Sequence, residues 1–333
     1  MKKIAVILFN LGGPSDIDHV EGFLFNLFND KNIITLPNPF RWLLAKLISS
    51  TRSNKSKKLY QQMGGSSPIL KNTQDQAEAL AIKLKEIDPD NQYEIMISMR
   101  YSKPFSDDLR ESIDKFKPDE IILLPLYPQY STTTTKSSFE DFIPKFKDEF
   151  KIKSVCCYPL EENYIKSHQE KIRKSYLENN LKGKDVVILF SAHSIPQKCV
   201  DNGDPYQWQI EATVRAIMRD LNLEVSHKIC YQSRVGRLKW LEPSTDSEIK
   251  NNKDKSMMIV PIAFVSDHLE TLVELDIDYK LLANDYGVKD YCRVSALGIE
   301  DNFIKSLAKS TIDSVNDLPR MRICPKEFCK CGV

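Results

Sequence analysis

The chain has 333 residues, 41% hydrophobic and 28% charged, with 47 Lys plus Arg against 46 Asp plus Glu and a formal charge of +1. That length suits two α/β lobes better than one small core. A charge so close to zero excludes a global field for nucleic acid or an anionic surface, so any charged partner has to be met locally. No apolar run approaches the roughly 20 residues that span a bilayer, which leaves a soluble chain or one attached peripherally.

Met1-Lys2-Lys3 followed by Ile4 to Phe9 imitates an export signal, but the apolar part is short and runs into Asn10-Leu11-Gly12-Gly13-Pro14 without a small-residue cleavage site. It reads as a first strand. With no export signal, the eight cysteines point to a reducing, cytoplasmic setting rather than a disulfide framework. The next segment, Phe23 to Ile48, carries Phe23, Leu24, Phe25, Leu27, Phe28, Phe40, Trp42, Leu43, Leu44 and Leu47. It reads either as a helical hairpin packed on the first lobe or as an apolar lip over a hydrophobic ligand or the inner face of a membrane.

Further apolar runs follow at Tyr93 to Met99, Ile121 to Leu126, Val186 to Phe190, His227 to Tyr231 and Met258 to Val265. Short and nearly continuous, they suit parallel strands buried on both faces. Between them, Asn72 to Ile87, Phe105 to Phe116, Tyr164 to Asn179, Tyr206 to Leu221 and Asp301 to Val315 have helical period. The predicted fold is therefore α/β with two Rossmann-like lobes, residues 1–150 and 151–315, divided at the charged stretch Lys145 to Lys153, and a Cys-rich tail at 316–333.

In such sheets ligands bind beyond the carboxyl ends of the strands. Val186 to Phe190 runs into Ser191-Ala192-His193-Ser194-Ile195-Pro196, which sets an imidazole at a strand mouth. After the Met258 to Val265 run, Asp267, Glu270 and Glu274 recur at spacings of three and four, one stripe on an α-helix. Asp267 with Glu270 is explained by a capping box. Glu274 is not, and three like charges in a stripe invite a cation or a proton relay. The chain lacks His-Glu-x-x-His, Walker A, Gly-x-Gly-x-x-Gly and Gly-x-Ser-x-Gly patterns, which disfavours zinc hydrolase, nucleotide and serine hydrolase chemistry.

Several strings resemble the ferrochelatase family, in its order, from residue 4 to about 300. They are Leu8-Phe9-Asn10-Leu11-Gly12-Gly13-Pro14, Met63-Gly64-Gly65-Ser66-Ser67-Pro68-Ile69, Leu126-Tyr127-Pro128-Gln129-Tyr130-Ser131, the His193 string, Gly203-Asp204-Pro205-Tyr206, Tyr231-Gln232-Ser233-Arg234-Val235-Gly236 through Trp240-Leu241, and Val260 to Asp276. The resemblance implies two lobes with a porphyrin cleft between them and insertion of ferrous iron into protoporphyrin IX to give protoheme. It implies His193 as proton acceptor or metal ligand, Glu270 as its partner, Asp267 and Glu274 as a path for protons or metal, and His268 as structural. Arg52, Tyr60, Ser67, Arg100, Tyr101, Tyr127, Ser131, Ser233 and Trp240 fall where the family lines its porphyrin site, and a guanidinium such as that of Arg52 suits a propionate. A chelatase for a carboxylate-rich sirohydrochlorin-type ring and a non-catalytic porphyrin carrier are the competing readings. The first should need more basic residues, the second no acid row.

The tail thiols Cys324, Cys329 and Cys331 resemble the C-terminal ligands of a [2Fe-2S] cluster found in some family members, with Cys156 or Cys157 as the fourth. Thr132 stands near where some such relatives place the internal cysteine, and Cys-x4-Cys-x-Cys is not the animal spacing. Zinc, or thiols without metal, are the alternatives.

Overall fold

The computed structural model describes residues 1–236, 238–319 and 322–332. It divides into two compact units. The first takes Met1–Cys157 with the described part of 307–321 and Gly332; the second takes Tyr158–Ser306 and Arg322–Cys331.

The first unit is built on a parallel sheet of β1 (Lys3–Asn10), β2 (Gln92–Met99), β3 (Glu120–Pro125) and β4 (Lys151–Ser154), in the order β2-β1-β3-β4. β1 pairs with β2 and β3 in register Val6 to Ile95 and Val6 to Ile122. Helices cover both faces, which is why β1 and β3 are apolar at almost every position rather than alternating. Ala5, Ile7, Phe9, Ile121 and Leu123 meet Phe142 and Phe146, whose rings stack at 4.5 Å.

The second unit repeats the plan with β5 (Val186–His193), β6 (Ser226–Gln232), β7 (Ser256–Pro261) and β8 (Tyr291–Arg293), in the order β6-β5-β7-β8. Val187, Leu189, Met257 and Ile259 form its core with Ile249 and Leu275.

Several sequence expectations move. The division falls at Cys157/Tyr158, not near 150, because Lys151–Ser154 is an edge strand of the first sheet. Its charged, half-exposed character hid it: Lys151 and Lys153 both pair with Glu120 on the neighbouring strand, at 3.1 and 2.7 Å. β8 escaped for a different reason, being only three residues long. The last helix, Asp301–Val315, is shared between the units, so 315 is not an edge of the second lobe.

The 23–48 segment is two helices, Val20–Phe28 and Phe40–Gln61. Phe23 and Leu24 are buried, but Phe40, Trp42, Leu43 and Leu47 are 64%, 47%, 56% and 61% exposed. Only the second half of the segment is therefore an exposed apolar surface. No helix among the described residues is long and apolar enough to cross a membrane.

Candidate active site

The carboxyl ends of β5, β6 and β7 carry the titratable cluster. β5 runs three residues further than its apolar stretch Val186 to Phe190, so His193 is its last residue and pairs with Gln232, the last of β6. The imidazole is held at Nδ1, 2.6 Å from Ser194 O. A carbonyl can only accept, so Nδ1 carries the proton and Nε2 of the neutral ring keeps its lone pair. That Nε2 stands 3.7 Å from Glu270 Oε1.

β7 ends at Pro261, earlier than its apolar run, and the chain then crosses to a π-helical segment, Glu270–Asp278, in which Tyr279 N–H returns to Glu274 O five residues back. Such segments are rare and concentrate at functional sites. Glu270 opens it. Its two oxygens each face an imidazole, Oε1 that of His193 and Oε2 the Nε2 of His268, both at 3.7 Å. Burial would raise the Glu270 pKa, but attraction to His193 in its charged form, with His268 close by, outweighs it and holds the carboxyl below its ordinary value. For buried His268 the balance is similar: desolvation opposes charge, yet Glu270 draws the pKa above the imidazole norm.

Glu274 is tightly held. It accepts from Gln232 Nε2 at 3.0 Å, Ser233 N at 2.8 Å, Ser233 Oγ, and Tyr279 Oη at 3.2 Å. Gln232 Nε2 also donates to Glu270 O at 3.0 Å, stitching the two turns. Burial and then the Glu270 charge raise the Glu274 pKa despite these donors. Two neighbouring carboxyls pushed in opposite directions are what an acid–base relay requires.

Asp267 departs from the expected stripe. It lies before the helix, not on it, and Arg293 of β8 reaches it at 2.8 Å while gripping Asp276 through Nε and a second nitrogen at 2.7 and 2.8 Å. The helix start is instead closed by Thr271 Oγ1, which accepts His268 N–H at 3.0 Å. Arg293 carried no sequence signal, being a lone arginine on a three-residue strand. His268, read as structural from its motif, is brought against Glu270. Its signal was the spacing: two residues before Glu270, at the turn into the helix. Trp240 is bridged to Pro196, three residues beyond His193, and Ser233 sits at φ +63°, a left-handed conformation that aims its N–H and hydroxyl at Glu274.

In the first unit the expected porphyrin residues do not form a titratable cluster. Arg100 and Tyr101 converge on buried Asp30: the Arg100 guanidinium at 3.0 Å, Tyr101 Oη donating at 2.8 Å, with Ser137 Oγ donating to the same oxygen. Desolvation of Asp30 is overcome by Ser137, by backbone N–H and by Arg100, so its carboxyl sits below its ordinary value. Arg52 lies over the Phe28 ring at 5.9 Å, and Tyr60 is buried on the same helix. Ser67 packs under Gly13, where a Cβ would come within 2.5 Å of it, and its N–H donates to Pro14 O at 2.9 Å. Tyr127 follows β3, and Ser131 is buried with its hydroxyl 2.9 Å from Thr133 Oγ1.

Among the described residues no set of three or more His, Cys, Asp or Glu side chains is arranged to hold a metal. His193 with Glu270 offers one nitrogen and one carboxylate, a pair suited to brief contact with a first-row divalent ion rather than to a cage.

Two four-stranded parallel sheets of matching order, with titratable residues at the strand mouths of the second, give the chain a chelatase-type α/β fold. The fold agrees with solved chelatases: SirB from Bacillus subtilis with Fe3+ aligns at TM-score 0.55 and 10% identity over 95% of this chain and 97% of that one. CbiX, the terminal enzyme of siroheme biosynthesis in denitrifying bacteria, aligns at 0.50 over 96% and 100%. At such identity these establish the fold alone. The family is settled by sequence. The ferrochelatase family model matches residues 3–314. Ferrochelatase from Rickettsia felis is 48% identical over 99% of this chain and 98% of its own, and that from Pelagibacter ubique 47% over the same shares. The chain belongs to the ferrochelatase family and is an enzyme of heme biosynthesis that inserts iron into porphyrin.

Proposed function

We propose that His193 accepts a pyrrole proton from protoporphyrin IX as Fe(II) enters, with Glu270 facing it as the fixed anion. The observation that carries this reading is the Nδ1 bond to Ser194 O, which leaves Nε2 as the basic atom, pointed at a carboxylate whose pKa is held down. The proton reaches Nε2, the resulting imidazolium is stabilised by Glu270, and the raised pKa of Glu274 provides the next acceptor along the π-helical segment. Asp267, locked to Arg293, acts at most through that ion pair. Before Nε2 takes the proton, that atom and Glu270 hold the incoming iron as passing ligands, and its release to the macrocycle frees Nε2 as the base. An anaerobic assay with ferrous iron, following loss of porphyrin fluorescence, tests the reading; turnover in His193→Ala close to that of the parent overturns it.

Arg52, Tyr60, Ser67, Arg100, Tyr101, Tyr127 and Ser131 of the first unit, with Ser233 and Trp240 of the second, are proposed to contact the porphyrin. Arg52 is the best placed chemically to take a propionate, because its guanidinium lies on the Phe28 ring and a planar fork matches a carboxylate.

Weak attachment to a membrane is supported by helix Phe40–Gln61. It carries Arg41, Lys46, Arg52, Lys55, Lys57 and Lys58 with no acidic residue, beside exposed Phe40, Leu43 and Leu47 at i, i+3 and i+7. That combination suits the surface of an anionic, cytoplasm-facing leaflet. Flotation with phosphatidylserine vesicles is the test, and no flotation at low salt counts against it.

The tail thiols fit a [2Fe-2S] cluster incompletely. Cys324 and Cys331 are in contact, and Cys156 Sγ lies where a Cβ on Gly332 would sit 2.9 Å away. Cys329, however, turns to Asn202 O. Among the described residues no group of three or more such side chains is arranged to hold a metal, so no step of the reaction is assigned to a cluster. Anaerobically reconstituted protein carrying labile sulfide would establish the cluster, and colourless protein without it would exclude it.

A further inference from the structure

The tail has a second attachment that concerns the reacting imidazole. Gly203, at φ +90°, opens the turn into helix Tyr206–Arg219, and a Cβ there would come within 2.6 Å of Cys329 Sγ and 3.0 Å of Cys329 N. Residues 322–331 are therefore laid directly on that turn. Lys330 N–H donates to Gly203 O at 3.0 Å. Gln209, fully buried one turn into the helix, donates to Cys324 Sγ at 3.1 Å, and the rings of Trp208 and Phe328 lie 6.3 Å apart. Arg322 closes the segment into a compact loop by donating to the carbonyls of Cys324, Pro325 and Phe328 at 3.1, 3.0 and 2.7 Å.

On the inner side of the same turn, buried Asp204 accepts Tyr206 N–H at 3.0 Å. Tyr206, itself 6% exposed, donates its hydroxyl to His193 O at 2.9 Å. We propose that Tyr206 is a positioning residue for His193, and that the tail, by clamping the Gly203–Tyr206 turn and the first turn of its helix, sets how firmly Tyr206 does so. His193 ends its strand, and the sheet steadies it only on one side, through Ser194 N–H to Gln232 O at 2.9 Å. The Tyr206 bond fixes the His193 carbonyl, and with it the peptide joining His193 to Ser194, whose own oxygen holds Nδ1. A phenol buried this deeply keeps its proton, so the bond persists at every working pH.

The inference rests on His193 being the reacting base, and the experiment separates the two. His193→Ala, Tyr206→Phe and Phe328→Ala are compared in the full chain by steady-state kinetics and by porphyrin binding, and the parent, Tyr206→Phe and Phe328→Ala also by the NMR shift of the His193 ring proton at fixed pH. Partners that orient a reacting group typically contribute ten- to a hundredfold, so Tyr206→Phe should lower kcat about tenfold with the porphyrin KM within about twofold. Phe328→Ala should move kcat and the ring-proton shift the same way by a smaller factor. Full activity in His193→Ala overturns the assignment of the base. Inactive His193→Ala beside unchanged kcat and an unchanged ring signal in Tyr206→Phe overturns the positioning role alone. A Phe328→Ala protein that loses thermal stability but leaves the ring signal in place overturns the role of the tail.

Discussion

The two units share one strand order and use it differently. In the first, the residues after β2 and around β3 settle on fixed charges: Arg100, Tyr101 and Ser137 all serve Asp30, which is 4% exposed and ionised. In the second, the corresponding strand mouths present groups whose protonation can change: His193, 3.7 Å from Glu270, with His268 and Glu274 beside it. Topology is common to both, so the chemistry comes from the loops that leave the strands. The π-helical segment marks the difference most clearly, because it brings Glu270 and Glu274 into one site while the first unit has no counterpart among its described residues.

The comparison breaks most severely if the second unit can lose its base without consequence. Removing a general base typically costs 10²–10⁴-fold, so His193→Ala should lose about a thousandfold in kcat while porphyrin binding, read by fluorescence quenching, changes little. Next, Glu270→Gln removes the anion that stabilises imidazolium and should cost about a hundredfold, whereas Glu274→Gln should cost about tenfold, since water can replace a more distant relay member. Equal losses would show that the two carboxyls are not graded, contrary to their opposed pKa directions.

The first unit should answer in stability instead. Asp30→Asn weakens charge-assisted bonds from Ser137, Tyr101 and Arg100 in a buried place, so unfolding free energy should fall by about 2 kcal/mol. Chemical denaturation with kcat measured on the folded fraction is the check. A large kcat loss with little change in stability would move Asp30 into the chemistry and erase the contrast.

The contrast was partly legible in the chain. Continuous apolar runs identified six of the eight strands, most plainly β1, β3, β5 and β7, which are buried at nearly every position and so have no alternation to blur. β4 and β8 were not legible: one is a charged edge, the other three residues long. His193, Glu270 and Glu274 could be picked out by their place after strands, since chain order places a residue at a strand mouth whatever its partners. The fate of Asp267 could not, because its partner Arg293 lies 26 residues away. Nor could the π-helical turn, whose sequence fits an α-helix equally well. The apolar segment 23–48 was legible as an excess and not as a surface, since burial of Phe23 beside exposure of Phe40 depends on the packing of the two helices.

The smallest effect concerns pH, and its sign differs between the units. Asp30 has a lowered folded pKa, so the stability it contributes is present above the ordinary carboxylate value near 3.9 and is lost as pH falls through the folded value. His268 has a raised folded pKa. Its contribution is complete below the unfolded imidazole value of about 6.5 and is lost as pH rises through the folded one. Glu270, with a lowered pKa, stays ionised through that window and supplies the attraction. Replacing His268 by Gln should therefore narrow the stability gap between pH 6 and pH 9, by about 1 kcal/mol or less, the scale of a modest pKa shift. Asp30→Asn should lower stability equally at pH 6 and pH 9, leaving that gap unchanged, and should lose its effect as the pH falls through the folded Asp30 value. The two variants, melted in parallel at about pH 3, 6 and 9, decide the matter. A His268→Gln protein with the parent's full gap would mean that His268 does not hold the extra proton, and that Glu270 owes its low pKa to His193 alone.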